Sequence, residues 1–239
     1  MQYIHQKSYD LLTIPLGETL SSIRDRWAFL MTTYLKPLVA ARLIYEADPA
    51  YLSPYVCQLA YPKINALPGG RGPNGKFFPM VKTLTAMARA MEYLIIQSVT
   101  SFMSTVKDIQ AEAPKGLVNQ PQFKQIVDEV HQLQRAPGYV GHPKMHQLRD
   151  MCIQHFNDHE GQVDEYGEPI DTRIMVFCNF RAVVEELVDC LNQQRPLIKA
   201  TPFVGQSTAK GARGMSQKDQ LEASRSNACL TSWSEWGGC

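Results

Sequence analysis

Asp171 to Ser207 reads DTRIMVFCNFRAVVEELVDCLNQQRPLIKATPFVGQS, and its hydrophobic period changes twice along the way. RIMVFC (173–178) is a short, nearly continuous apolar run, the pattern of a parallel strand buried on both faces. NFRAVVEELVDCLNQQ (179–194) then sets Val183, Val184, Leu187, Val188 and Leu191 on one side of a helix. ATPFVGQS (200–207) is a second apolar strand that ends on Gly-Gln-Ser. Strand, helix and strand within about 35 residues predict a βαβ unit whose loops lie at the carboxyl ends of the strands.

Upstream the period is helical throughout. Residues 18–46 place Ile23, Trp27, Leu30, Met31, Tyr34, Leu35 and Leu38 at helical spacing, with Pro37 expected to kink or split the helix. LPGGRGPNGKFFP (67–79) carries dense turn signals. Residues 80–113 form the longest periodic segment, with an apolar stripe from Met80 to Val106 that reads as the core of a helical bundle. Two shorter amphipathic helices follow at 121–134 and 141–156, the second with Pro143 in its first turn. NDHEGQVDEYGEPIDT (157–172) holds six acids and no lysine or arginine, which predicts an exposed linker.

Bulk properties bound the function. The 239 residues carry a formal charge of +1, so any case for nucleic-acid binding has to be local. The six cysteines are scattered, with no CxxC pair. The first residues contain no apolar secretory core, and no apolar run reaches the ~18 residues that span a bilayer. Together these features predict a reducing, intracellular setting. The last residues, LTSWSEWGGC, pair two tryptophans with serines, as extracellular modules do. That reading needs disulfide partners and an oxidising compartment, which the rest of the chain does not offer.

Several motifs occur in a fixed order: His142-Pro143-Lys144-Met145, Val176-Phe177-Cys178-Asn179-Phe180-Arg181, Phe203-Val204-Gly205-Gln206-Ser207, and Lys210-Gly211 followed by Gly214-Met215-Ser216-Gln217-Lys218-Asp219-Gln220. In these the chain resembles the start of the second RecA-like domain of superfamily 2 helicases, and more narrowly the FANCM/Hef/Mph branch of DNA-repair helicases. LTAMARAMEYLIIQSVTSFM (84–103) resembles the helical domain that this branch inserts between its two motor domains, although Gln97-Ser98-Val99 stands where His-Gly-Ile is common. The resemblance covers roughly residues 1–222.

It implies a helical insert domain (1–156, an all-α bundle), the acidic linker (157–172) and a partial α/β RecA-like helicase domain (173–222), with 223–239 as a tail outside the family pattern. The GxxxxGK[ST] phosphate loop and the acidic Walker-B tetrad are not among these residues, nor is the family's Thr-Ser-x-Gly-x-Glu-Gly motif. The implied parent is an ATP-dependent helicase or translocase that remodels forks and displacement loops in the nucleus, with ATP and magnesium bound elsewhere in the complete protein. This chain alone is expected to hold no cofactor and to be inactive as a motor. Its expected partners are branched or single-stranded DNA and DNA-repair proteins, with no membrane. Two other readings stay open: a stand-alone module that binds branched DNA or a repair partner, and a truncated product without function.

The candidate DNA contacts fall in two groups. Asn179 and Arg181 follow the first strand and open a helix, where free N–H groups and a cation suit a phosphate. Gly205, Gln206, Ser207 and Lys210 follow the second strand, with Arg213 and Lys218 adding charge. In the helical part, residues 60–110 hold six basic side chains against two acids. Arg71, Lys76 and Lys82 lie in or beside the glycine-rich loop with Phe77 and Phe78, a mixture that can grip a backbone and stack on bases. The phenylalanines can equally fold into the core. His142/His146 and His155/His159 are i, i+4 pairs around Cys152, a spacing open to zinc, but end-of-helix capping is the simpler role.

Overall fold

The computed structural model describes residues 9–45, 47–68, 71–137, 139, 141–168, 172–178, 181–203 and 228–232. The chain opens with α1 (Glu18–Ala40), one helix that contains Pro37, so of the kink or split that the sequence predicts the split does not occur. It stops at Ala40, short of the expected end at 46. Arg42 adopts a left-handed φ of 56°, and the Leu43 and Ile44 amides donate back to the Leu38 carbonyl, which closes the helix end. A 3₁₀ turn (Pro49–Tyr51) leads to α2 (Pro54–Gln58), α3 (Ala60–Ala66) and α4 (Arg71–Asn74).

The single long helix predicted over 80–113 is two helices. α5 (Phe77–Glu92) passes into a π turn (Tyr93–Gln97), Ser98 breaks to an extended conformation, and α6 (Val99–Glu112) starts afresh. A serine hydroxyl competes with the helix for backbone N–H groups, and this is how it ends one helix and caps the next. α7 (Lys115–Val118), α8 (Pro121–Arg135) and α9 (Pro143–His159) complete the helical series.

Trp27 is the centre of the first core. It is fully buried, its Nε1–H donates to the Met87 carbonyl at 3.0 Å, and its ring meets Phe102 edge-on at 5.2 Å and Phe123 at 5.6 Å. One side chain thereby joins α1, α5, α6 and α8. An indole that buries its ring and satisfies its N–H serves both requirements of a tryptophan in a core.

The second core joins α9 to the carboxyl-terminal segments. Met145, Cys152 and Phe156 of α9 pack with Cys178, Val183, Val184, Leu187 and Leu191. The composition shift places the organisational boundary at the 157–172 linker, but the apolar packing divides before α9. Side-chain contacts set the division of a core, and a change in surface charge does not.

Three parallel strands form one sheet in the order β1–β3–β2: β1 (Ile174–Cys178), β2 (Ala200–Phe203) and β3 (Ala228–Ser232). Helix α10 (Arg181–Asn192) connects the first two. The sequence leaves 223–239 as a tail; its residues 228–232 are the central strand, paired with β1 on one side and β2 on the other. Ala-Cys-Leu-Thr-Ser is too short to announce itself by periodicity, and parallel pairing is a long-range event. β1 was expected to be buried on both faces. Its Met175 and Phe177 are instead 57% and 45% exposed, while Cys178 is buried. On the edge strand β2, Asn192 clamps one residue from the side: its Nδ2 donates to the Ala200 carbonyl and its Oδ1 accepts the Ala200 amide, both at 3.0 Å.

Truncating the central side chain, Trp27→Ala, should lower stability by about 3–5 kcal/mol. The urea midpoint of the helical signal reads it, and Trp27→Phe should lose clearly less.

Candidate nucleic-acid interface

The two cores meet at the break after α5. Ser98 lies at φ −159° and ψ 134°, and its Oγ accepts the Thr100 and Ser101 amides at 3.1 and 3.3 Å. The same hydroxyl donates to Oε2 of Glu186 on α10, and the Thr100 hydroxyl donates to Oε1 at 3.1 Å. One carboxylate from the α/β unit thus sits on the first turn of a bundle helix, where the helix dipole favours a negative charge. Beside it, Lys144 Nζ donates to the Ile96 carbonyl at 3.2 Å, one of the acceptors that a helix end leaves open. Gly141 at φ +102° allows the close approach, since a Cβ there would fall 2.9 Å from Met145 Sδ.

Between these contacts lies a cleft of about 220 Å³. The π turn, the start of α9, the carboxyl end of β1 and the first turns of α10 line it. In parallel α/β sheets ligands bind in this position, outside the carboxyl ends of the strands. The strand register sharpens the point. Cys178 pairs with Ser232 and Phe203 with Thr231, so all three strands end at one edge of the sheet. The stretches singled out in the sequence, 179–181 and 204–210, follow strands that end at that edge.

The residues themselves are placed unevenly. Asn179, Gly205, Gln206, Ser207 and Lys210 lie outside the described residues, as do Arg213 and Lys218. Arg181 is the first residue of α10 and Arg71 the first of α4, and only their backbones are described. Lys76 is exposed, with Nζ 5.3 Å from the Phe77 ring centroid. Lys82 is exposed and paired with Glu112 at 3.0 Å. Phe77 and Phe78 are half-buried against the helical core, and Phe78 stacks on Tyr61 with 6.1 Å between centroids. Both rings pack in part against the helical core, the packing role that the sequence also allowed.

Two features escaped the sequence pattern. Gly70 to Lys76 reads GRGPNGK, with the glycine and lysine spacing of a phosphate loop, but Phe77 stands where serine or threonine would hold magnesium. Helices α3 and α5 flank it, so it does not follow a strand as that loop must. At the other end, β3 finishes on Thr231-Ser232, and Gly237 follows at the spacing of Thr-Ser-x-Gly-x-Glu-Gly, matching three of its five fixed positions. The match is visible in the sequence once the strand ahead of it is known.

Among the described residues, His142 and Cys57, Cys152, Cys178 and Cys190 are buried. His142 is buried and caps α9, its Nδ1 accepting the Lys144 amide at 3.2 Å. His155 and His159 lie 4.4 Å apart, with His159 Nδ1 at 2.7 Å from the His155 carbonyl. No group of three metal-ligating side chains occurs among the described residues. Burial pushes the Cys57 thiol up to about 12 and those of Cys152 and Cys178 up to about 11, which leaves them protonated and inert near neutral pH.

Removing the Glu186 carboxylate should cost about 1.5–3 kcal/mol, because it leaves two hydroxyls without their charged acceptor. Comparing Glu186→Ala with Glu186→Gln in urea checks this, and the glutamine should retain part of the stability. For His142, burial and then the Lys144 charge lower the pKa below its ordinary 6.5. The native state therefore holds the neutral ring while the unfolded chain takes a proton. Stability is full above about pH 6.5 and falls as the pH drops below it. His142→Asn, which keeps a cap acceptor, should flatten that fall between about pH 5 and 7 in urea titrations.

No protein-family model matches the sequence. Curated relatives do. An ATP-dependent DNA helicase mph1 of Sclerotinia sclerotiorum is 29% identical over 94% of this chain, and one of Neurospora crassa is 30% identical over 92%. The chain spans about a fifth of those relatives, 19% of each. Among solved structures, the helicase domain of Pyrococcus furiosus Hef matches 96% of this chain and 46% of its own, at a TM-score of 0.75 and 20% identity, a likeness of fold. The chain is a homologue of the Mph1 ATP-dependent DNA helicases, with the fold of part of the Hef helicase domain.

Proposed function

We propose that this chain supplies DNA-contacting parts of an ATP-dependent helicase or translocase that remodels branched DNA, such as forks and displacement loops, during repair in the nucleus. The observation that carries the reading is the alignment with Mph1 helicases over more than nine-tenths of the chain. The common edge of the three strand ends supports it, since in sequence Arg181 follows one of these strands and Gln206, Ser207 and Lys210 follow another. Backbone N–H groups at such an edge, with cations beside them, hold phosphates without reading sequence.

The α4–α5 region is the second contact. Lys76 and Lys82 project from an exposed surface of a segment with four excess positive charges. Lys82 is held by Glu112, but an exposed pair of this kind is worth little and yields readily to a phosphate. The phosphate-binding loop, the magnesium ligands and ATP belong in this reading to other parts of the full helicase. DNA-repair proteins are its expected partners. Among the described residues no helix is long and apolar enough to cross a membrane.

The purified chain should bind forked DNA more tightly than linear duplex at equal salt, and it should show no DNA-stimulated ATPase. Lys82→Ala should weaken binding a few-fold on all sequences and reduce the salt slope by about 1, while Glu112→Gln should strengthen it. Fluorescence anisotropy across a salt series measures all of these. Equal affinity for fork and duplex sinks the branched-DNA reading, and DNA-stimulated ATPase sinks the assignment of ATP to other parts.

A further inference from the structure

We infer that the cleft between the π turn and β1 is a pocket for one unpaired nucleobase, an inference that rests on the DNA-contacting reading above. Ile96, Met145, Leu148, Val176 and Phe177 give it apolar walls. Gln97 also lines it. That side chain is more than nine-tenths buried, and its Oε1 accepts no hydrogen bond. A buried amide oxygen without a donor is costly, and each such group in a native fold asks for an explanation. Short π segments within α-helices recur at functional sites, and here the π turn is what carries Ile96 and Gln97 to the cleft.

The chemistry selects the occupant. Apolar walls beside a buried acceptor that lacks a donor suit a heterocycle that presents an N–H at its edge. All four DNA bases carry at least one N–H donor on the Watson–Crick edge, so the contact tolerates any sequence. At about 220 Å³ the cleft is smaller than the roughly 300 Å³ and upward of sites for drug-sized ligands, and it suits a single ring system. The exposed Lys144 borders it and offers a cation to a phosphate flanking an inserted base, with the Glu186 carboxylate close by on Ser98. Extracting a base from duplex costs a few kcal/mol, whereas a base at a branch point is already unpaired. The pocket therefore favours junctions over intact duplex.

Anisotropy with the full chain at one salt concentration tests this, using a short labelled oligodeoxycytidylate and an abasic oligomer of equal length and charge. The base-bearing oligomer should bind about 10-fold tighter, within the range found for single base contacts. Gln97→Leu should remove most of that difference and leave abasic binding unchanged. Leu148→Trp, which fills the cleft, should do the same and covers the case in which Gln97→Leu folds poorly. Equal binding of the two oligomers by the unaltered chain overturns the pocket and leaves the phosphate contacts standing. Variants that weaken both oligomers alike overturn it as well. If neither oligomer binds, the pocket and the DNA-contacting reading fall together.

Discussion

The hydroxyl of Ser98 holds this structure together at its joint. It accepts two amides that open α6 and donates to a carboxylate of α10. Without that break, residues 80–113 would run on as one helix and carry Ile96 and Gln97 away from the α/β unit. With it, the bundle acquires a π turn facing β1, and Glu186 fixes the distance between the two cores. A short polar side chain thus decides more of the architecture than any of the large apolar ones, because it acts on backbone groups that have no other partner.

The two cores are built on different principles. The first is a bundle converging on Trp27, whose ring and N–H tie four helices to one point. The second is thin, with three short strands and two helices, and one sheet face that leaves Met175 and Phe177 exposed. Asn192 steadies part of its β2 edge.

The proposed DNA contacts follow from this division. The three strands end at one edge, and the cleft beside the carboxyl end of β1 borders the bundle at its π turn. The site is a property of the joint between the cores, with each unit supplying one wall. His142 caps α9, and the buried thiols of Cys57, Cys152, Cys178 and Cys190 are part of the packing.

The sequence by itself determined the helical character up to about residue 156, the β1–α10–β2 order and the ordered motifs that carry the likeness to Mph1 and Hef. Those are local properties: periodicity, turn residues and short motifs are written in neighbouring positions. It did not reveal that Pro37 stays inside α1, that Ser98 divides the long helix, that α9 packs with the sheet, or that Ala228–Ser232 lies between β1 and β2. Of the candidate contacts, Lys76 and Lys82 were legible as exposed cations, but the cleft with Gln97 was not. Each of these missed features depends on groups far apart in the chain meeting in space, such as Ser98 with Glu186 or Cys178 with Ser232. Local pattern cannot encode such a meeting, because it arises only when two apolar faces and their unpaired backbone groups find one another in the folded chain.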